Sequence, residues 1–166
     1  MTQRTYDVGG IRLPRPFRVQ RLGHVGLTQR DLAGGSDFFC ELLGFRRTDV
    51  MTPPGGGDTV GWFTSVGTDH HSLVHVDAAL EARTPHFGRG ITVNQISFQV
   101  GTLQEVADGY RYFADAGIET WRYGRDFPGS NWAVYAFDPD GFRVELAERR
   151  VAPADLLSVL AEVVLR

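Results

Sequence analysis

Three polar residues interrupt otherwise apolar, strand-like stretches and carry the donor atoms a cleft or a metal ion would use: His24, Gln95 and Glu145. Leu22, His24 and Gly26 alternate with Val25 and Leu27. Val93, Gln95, Ser97 and Gln99 alternate with Asn94, Ile96, Phe98 and Val100. Glu145 stands between Val144 and Leu146. A carboxylate in so apolar a strand needs a cation or hydrogen-bond donors, because burying it unpaired is costly. A metal ion would serve, as would Arg143 or Arg125. Cys40 is the single cysteine, so any metal site must draw on imidazole, carboxylate or amide oxygen, and no internal disulfide can form.

The elements that must position these residues form a diverged repeat. In the first half, period-2 alternation from Arg21 predicts a strand. Asp31 is placed as an N-cap, and Leu32, Phe39, Leu42 and Leu43 recur at helical spacing until Gly44 closes the helix. Strands are then predicted over Phe45 to Val50, Val60 to Val66 and His71 to Val76, with a loop over Pro53 to Gly57. The second half repeats this order. A strand carries Gln95, a helix follows with Leu103, Val106, Tyr110 and Phe113 on one face, and Gly117 stands where Gly44 did. Strands over Ile118 to Tyr123, Trp132 to Phe137 and Phe142 to Ala147 complete it, the last two joined by the turn Asp138-Pro139-Asp140-Gly141. His24 and Gln95 are 71 residues apart, one repeat period.

The expected fold is therefore α+β: two tandem β-α-β-β-β modules, about 21–77 and 91–148, forming one curved mixed-sheet cleft. Residues 1–20 read as an irregular arm lying on the body. Residues 149–166 read as a C-terminal helix, with Asp155 as its N-cap. Equivalent strands should present His24 and Gln95 to one cleft, with Val25, Leu27, Ile96 and Phe98 under the helices. Trp62, Trp121 and Trp132 are expected in the core or the cleft wall, where aromatic lining would suit a flat apolar substrate.

Composition narrows the function classes. A net charge of -3 gives no reason to expect nucleic acid or an anionic membrane as partner. No apolar run approaches the ~20 residues of a membrane span, and Met1 to Gly10 lacks the apolar segment of a secretory signal. With a lone cysteine, the cytoplasm is the expected location.

The segments "LGHVGLTQRDL" and "DHHSLVHV" of one half, and "VNQISFQVGTL" and "FDPDGFRVEL" of the other, resemble the vicinal oxygen chelate superfamily over about residues 21 to 148. That group includes glyoxalase I, bleomycin and fosfomycin resistance proteins, methylmalonyl-CoA epimerase and type I extradiol dioxygenases. Within it the chain is most similar to the catalytic domain of the extradiol enzymes. The likeness lies in His24, the pair His70-His71, Tyr135 ten residues before Glu145, and Gly124-Arg125. The resemblance implies a metal held by His24, Gln95 and Glu145. The expected ion is Fe(II), with Mn(II), Zn(II) and Ni(II) as alternatives. It also implies His71 as an acid-base group, or else a fourth ligand, and Tyr135 as a partner of a substrate oxygen. Asp126, Trp62 and Trp132 are the expected substrate contacts, and His70 and His75 are expected on the surface or behind the site.

Two positions depart from the extradiol pattern. Gln95 stands where the family has a ligand His, and Asp126 where many members have a His. A Gln oxygen is neutral like imidazole but harder, which shifts preference toward oxygen-loving ions. The implied function is a metal-dependent extradiol-type ring-cleaving dioxygenase taking a small catechol-like aromatic and dioxygen, with two chains associating as a homodimer. The alternatives are a glyoxalase- or epimerase-like lyase or isomerase, and a metal-free binding protein of the resistance type.

Overall fold

A computed structural model of the chain describes residues 4–81, 92–126 and 131–148; the expected C-terminal helix lies outside them. Ten strands and three short or medium α-helices are described. They are β1 (Tyr6–Val8), β2 (Ile11–Leu13), β3 (Arg21–Gln29), α1 (Leu32–Asp37), β4 (Arg46–Met51), β5 (Gly61–Ser65), β6 (Leu73–Asp77), α2 (Ala78–Glu81), β7 (Val93–Val100), α3 (Leu103–Asp115), β8 (Thr120–Arg125), β9 (Trp132–Phe137) and β10 (Arg143–Glu148). From β3 on, each half runs strand, helix, strand, strand, strand, as the repeat predicts. The described residues fall into two compact units. One, here the His24 unit, comprises Gly23–Ser97 with Gly141–Arg143; the other, the Glu145 unit, takes the remaining segments.

In the His24 unit the strand order is β4-β5-β6-β3, followed by the first half of β7. β3 and β6 are parallel, Val25 facing Leu73 and Leu27 facing His75. β5 runs antiparallel to β6, with Trp62 opposite His75 and Phe63 opposite Val74. Because cross-strand partners share a sheet face, these registers sort the side chains. Phe63, Val74 and Val76 cluster on the His24 face with Met51 and Leu80. Trp62, Thr64, Leu73 and His75 lie on the other. Asp31 caps α1 through the Gly34 N–H at 2.9 Å. The predicted single helix does not continue regularly. It widens into a π turn over Phe38–Leu42, and Gly44 then ends it with φ 74°. The wider turn rotates the following residues away from the apolar stripe. Phe39 packs on His75 at 5.2 Å, while Leu42 and Leu43 stand exposed.

In the Glu145 unit the order is β10-β9-β8, after the second half of β7. α3 is amphipathic and buries Leu103 and Val106. Phe17, Val100, Val106, Val134 and Leu146 form the core beneath it, with Phe98, Tyr112, Phe113 and Tyr123 at its margin. A Cβ on Gly109 would meet Leu146 at 3.2 Å and Phe17 at 3.4 Å, so a hydrogen there lets α3 sit close. Thr102 caps the helix through the Glu105 N–H at 3.2 Å. Glu105 accepts the Arg18 N–H at 2.8 Å and so ties the N-terminal segment to the helix start. That segment is not irregular: β1 and β2 pair antiparallel around Gly9 and Gly10, both at positive φ as a tight hairpin turn requires.

Candidate active site

His24 and Gln95, one repeat apart, meet: Gln95 Nε2 lies 2.7 Å from His24 Nε2. Both side chains are buried. Two features of β3 allow this. Its alternation turns His24 away from the α1 side of the sheet, and Gly26 leaves the room. A Cβ at Gly26 would fall 2.0 Å from Asn94 Oδ1 and 2.6 Å from Gln95 Cγ.

The contact is one link of a longer chain. His71 lies just before β6 rather than within a strand, and its Nε2 is 3.0 Å from His24 Nδ1. The two rings pack edge to face at 4.2 Å. His71 Nδ1 is 2.7 Å from His70 Nδ1, and His70 Nε2 is 3.2 Å from Asp49 Oδ2. Phe63 packs against both rings, 5.3 Å from His70 and 5.0 Å from His71. At the other end, Arg143 Nη2 donates to Gln95 Oε1 at 2.6 Å and reaches Asn94 Oδ1 at 3.5 Å. Burial, then the neighbouring His24 and His70, push the His71 pKa from 6.5 down to about 2. His71 is therefore neutral at physiological pH, with both ring nitrogens engaged.

The other expected site residues fall in different places. Glu145 is 2 % exposed. Its neighbour Leu146 belongs to the core beneath α3, so strand alternation turns Glu145 to the opposite face of β10. Ala133, Tyr135 and Ala147 pack together in the same unit, with Trp121 against them. Tyr135 donates its hydroxyl to Asp126 Oδ2 at 2.6 Å. Asp126 Oδ1 pairs with Arg122 at 2.5 Å, and Trp121 meets Tyr135 edge-on at 5.3 Å. Tyr135 and Asp126 thus form one polar group with an aromatic wall.

Two expected substrate contacts lie elsewhere. Trp62 does not line the face that carries His24: its register with His75 puts it on the α1 side, beneath the Arg47 guanidinium at 4.8 Å. Trp132 does not share the face of Tyr135. It lies two residues from the core residue Val134, on the α3 side, against Tyr123 at 5.8 Å. Of the two places expected for His75, the surface or behind the site, it takes a buried one, with Nε2 3.0 Å from Thr64 Oγ1 and Nδ1 3.4 Å from Gln29 Nε2. Burial, then Arg47, lowers its pKa to about 4. The residue that sequence reasoning missed as part of the site is Arg143. Its place two residues before Glu145, on the same strand alternation, was the available signal.

Among the described residues no three His, Cys, Asp or Glu side chains group as a metal would need. A cation site built from the described residues alone would therefore need a further donor such as amide oxygen. The head groups of His24 and Gln95 converge as two ligands of one ion do, and His24 Nδ1 lies 3.0 Å from His71 Nε2, as the second nitrogen of a metal-bound imidazole lies against a partner. Gln95, however, turns Nε2 toward His24 and Oε1, its ligating atom, toward Arg143. The donor set fits a divalent ion once that amide turns over.

The family model described as the glyoxalase/bleomycin resistance protein/dioxygenase superfamily matches residues 21–146. Among solved structures the chain is similar to the 2,3-dioxygenase LapB from Pseudomonas sp. KL28 (TM-score 0.67, 20% identity, covering 81% of this chain and 44% of that one). It is also similar to a Mn(II)-bound glyoxalase from Novosphingobium aromaticivorans (0.65, 19%, 79% and 38%). A third is the 2,2',3-trihydroxybiphenyl 1,2-dioxygenase from Sphingomonas wittichii RW1 (0.64, 23%, 76% and 41%). The chain spans less than half the length of each. No curated protein matches it. Among the described residues no helix is long and apolar enough to cross a membrane. The match over most of the chain, with the mixed α+β fold repeated in its solved neighbours, places this protein in the glyoxalase/bleomycin resistance protein/dioxygenase superfamily.

Proposed function

We propose that this protein is a metal-dependent extradiol-type ring-cleaving dioxygenase acting on a small catechol-like aromatic, with the metal held by His24, Gln95 and Glu145. The observation that carries the reading is the 2.7 Å approach of Gln95 to His24, with the far nitrogen of His24 engaged by His71. When bound, the metal would supply chelation of the two diol oxygens and activation of dioxygen. The chain's own residues do the rest. His24 is held between Gln95 and His71, which fix its ring at the place where a cation or substrate would meet it. Tyr135, which donates its proton to Asp126, would accept from a substrate hydroxyl. Trp121 gives an aromatic ring a flat neighbour. Fe(II) suits the reading, and the hard amide oxygen also favours Mn(II).

A second reading, metal-free binding of a small molecule, is favoured by one observation. Arg143 holds the Gln95 oxygen away from His24. The two readings separate on metal content. Anaerobically purified protein should carry iron or manganese near one per chain, reduced in His24→Ala and Gln95→Ala, and should consume oxygen with catechols. Absence of metal after reconstitution would end the dioxygenase reading and leave the binding one. Zinc or nickel alone would move the protein to the lyase or isomerase branch.

A further inference from the structure

The six side chains from Arg143 to Asp49 can be hydrogen-bonded in one consistent way only. Arg143 cannot accept, so Gln95 must turn Oε1 to it and Nε2 to His24. His24 Nε2 is then an acceptor and must lack a proton, which puts the proton on Nδ1. His24 Nδ1–H donates to His71 Nε2. His71 must therefore carry its proton on Nδ1 and donate to His70 Nδ1. His70, accepting there, carries its proton on Nε2 and donates to the Asp49 carboxylate. Every donor along the run points the same way, from a guanidinium that only donates to a carboxylate that only accepts. Reversing the middle of the run would set donor against donor at Gln95 and lone pair against carboxylate at His70.

We infer that Asp49 and His70 are positioning residues which fix the tautomers of His71 and His24 and so present the His24 Nε2 lone pair, while Arg143 at the opposite end only orients the Gln95 amide. Asp49 is itself 35% exposed and His70 34%, so the run begins near solvent and ends on two buried groups. Asp49 touches neither His24 nor Gln95; it acts through two imidazoles. The inference rests on the proposed function only in that this lone pair is the one given there to the metal.

The test is the nitrogen-15 NMR spectrum of the imidazoles in metal-free full-length protein at pH 8, above the ordinary histidine range. The expected result is His24 and His71 protonated on Nδ1 and His70 on Nε2. In Asp49→Asn, whose amide can donate as readily as accept, the His70 and His71 signals should move toward mixed tautomers, and Asp49→Glu should restore the wild-type pattern. A His24 proton on Nε2 in the wild type, or rings that ignore Asp49→Asn, would overturn the inference. If Asp49→Asn does not fold, the wild-type tautomers alone decide. A Mn(II) titration keeps the two readings apart. If the tautomers are as stated and Mn(II) does not bind, the proposed metal function fails and this inference stands. If Mn(II) binds equally to wild type and Asp49→Asn, the metal reading stands and this inference fails, since loss of such an outer partner ordinarily weakens metal binding ~10–100-fold.

Discussion

Arg143 Nη2 sits 2.6 Å from Gln95 Oε1, and that bond decides which end of the amide His24 meets. A hydrogen bond from a charged donor contributes roughly 1.5–3 kcal/mol, enough to set the orientation firmly. Arg143→Met should release the amide. Mn(II) affinity is then expected to rise about tenfold or more, because Oε1 can turn to the metal. Thermal stability is expected to fall by roughly 1–3 kcal/mol as Gln95 and Asn94 lose their donor. Isothermal titration against Mn(II) and a melting curve check both signs; an unchanged affinity would detach Arg143 from the metal reading.

Gly26→Ala should disable the site while leaving the strand in place. The new methyl would lie 2.6 Å from Gln95 Cγ and 2.0 Å from Asn94 Oδ1, and overpacking of this kind costs roughly 1–3 kcal/mol. Gln95 must swing aside, so the His24–Gln95 contact and any ligand bound on it should be lost. Circular dichroism should stay that of a folded chain while binding of metal or catechol disappears.

The buried histidines predict an acid-sensitive fold. The His75 pKa falls from 6.5 to about 4 on folding, and that of His71 to about 2. Between pH 6.5 and 4 the unfolded chain binds more protons than the folded one, so stability is full above about 6.5 and drains as the pH falls. For His75 the loss by pH 4 is roughly 3 kcal/mol. His75→Gln should flatten that part of the stability-against-pH curve measured by urea unfolding. A curve of unchanged slope would mean that His75 titrates alike in both states.

Tyr135→Phe removes the hydroxyl that bonds Asp126 and, in the proposed reading, a substrate contact. The expected outcome is a rise of about tenfold in KM for a catechol, with a smaller change in kcat. Asp126→Asn, which still accepts from Tyr135, should act more weakly. Steady-state oxygen uptake separates the two effects.

Much of this was legible in the residues. The repeat gave the element order, and its 71-residue period named the two side chains that meet at 2.7 Å. Gly44 and Gly117 marked helix ends, and both hold positive φ. Register was less legible. Trp62 and Trp132 were expected in the core or the cleft wall and as substrate contacts, but a strand's two faces differ by one residue and composition does not say which face a helix covers. His75 lies two residues beyond Leu73 on the α1 side and is satisfied there by Thr64, a partner no local pattern reveals. Arg143 was considered only as a counter-ion for Glu145. Strand alternation put it on the face of Glu145, but its bond to Gln95 joins residues 48 apart, and that partner is not given by the strand alone. The π turn at Phe38–Leu42 likewise defeated a simple 3.6-residue period.

The residues that complete the two cores emerge in different order during synthesis. The core beneath α3 joins Phe17 to Leu146, so it cannot close until the last described strand has left the ribosome. The histidine run from Asp49 through His24, by contrast, lies wholly within the first 71 residues. Gln95 joins it later, and Arg143 later still. On a nascent chain the Gln95 amide therefore reaches His24 before Arg143 is there to orient it.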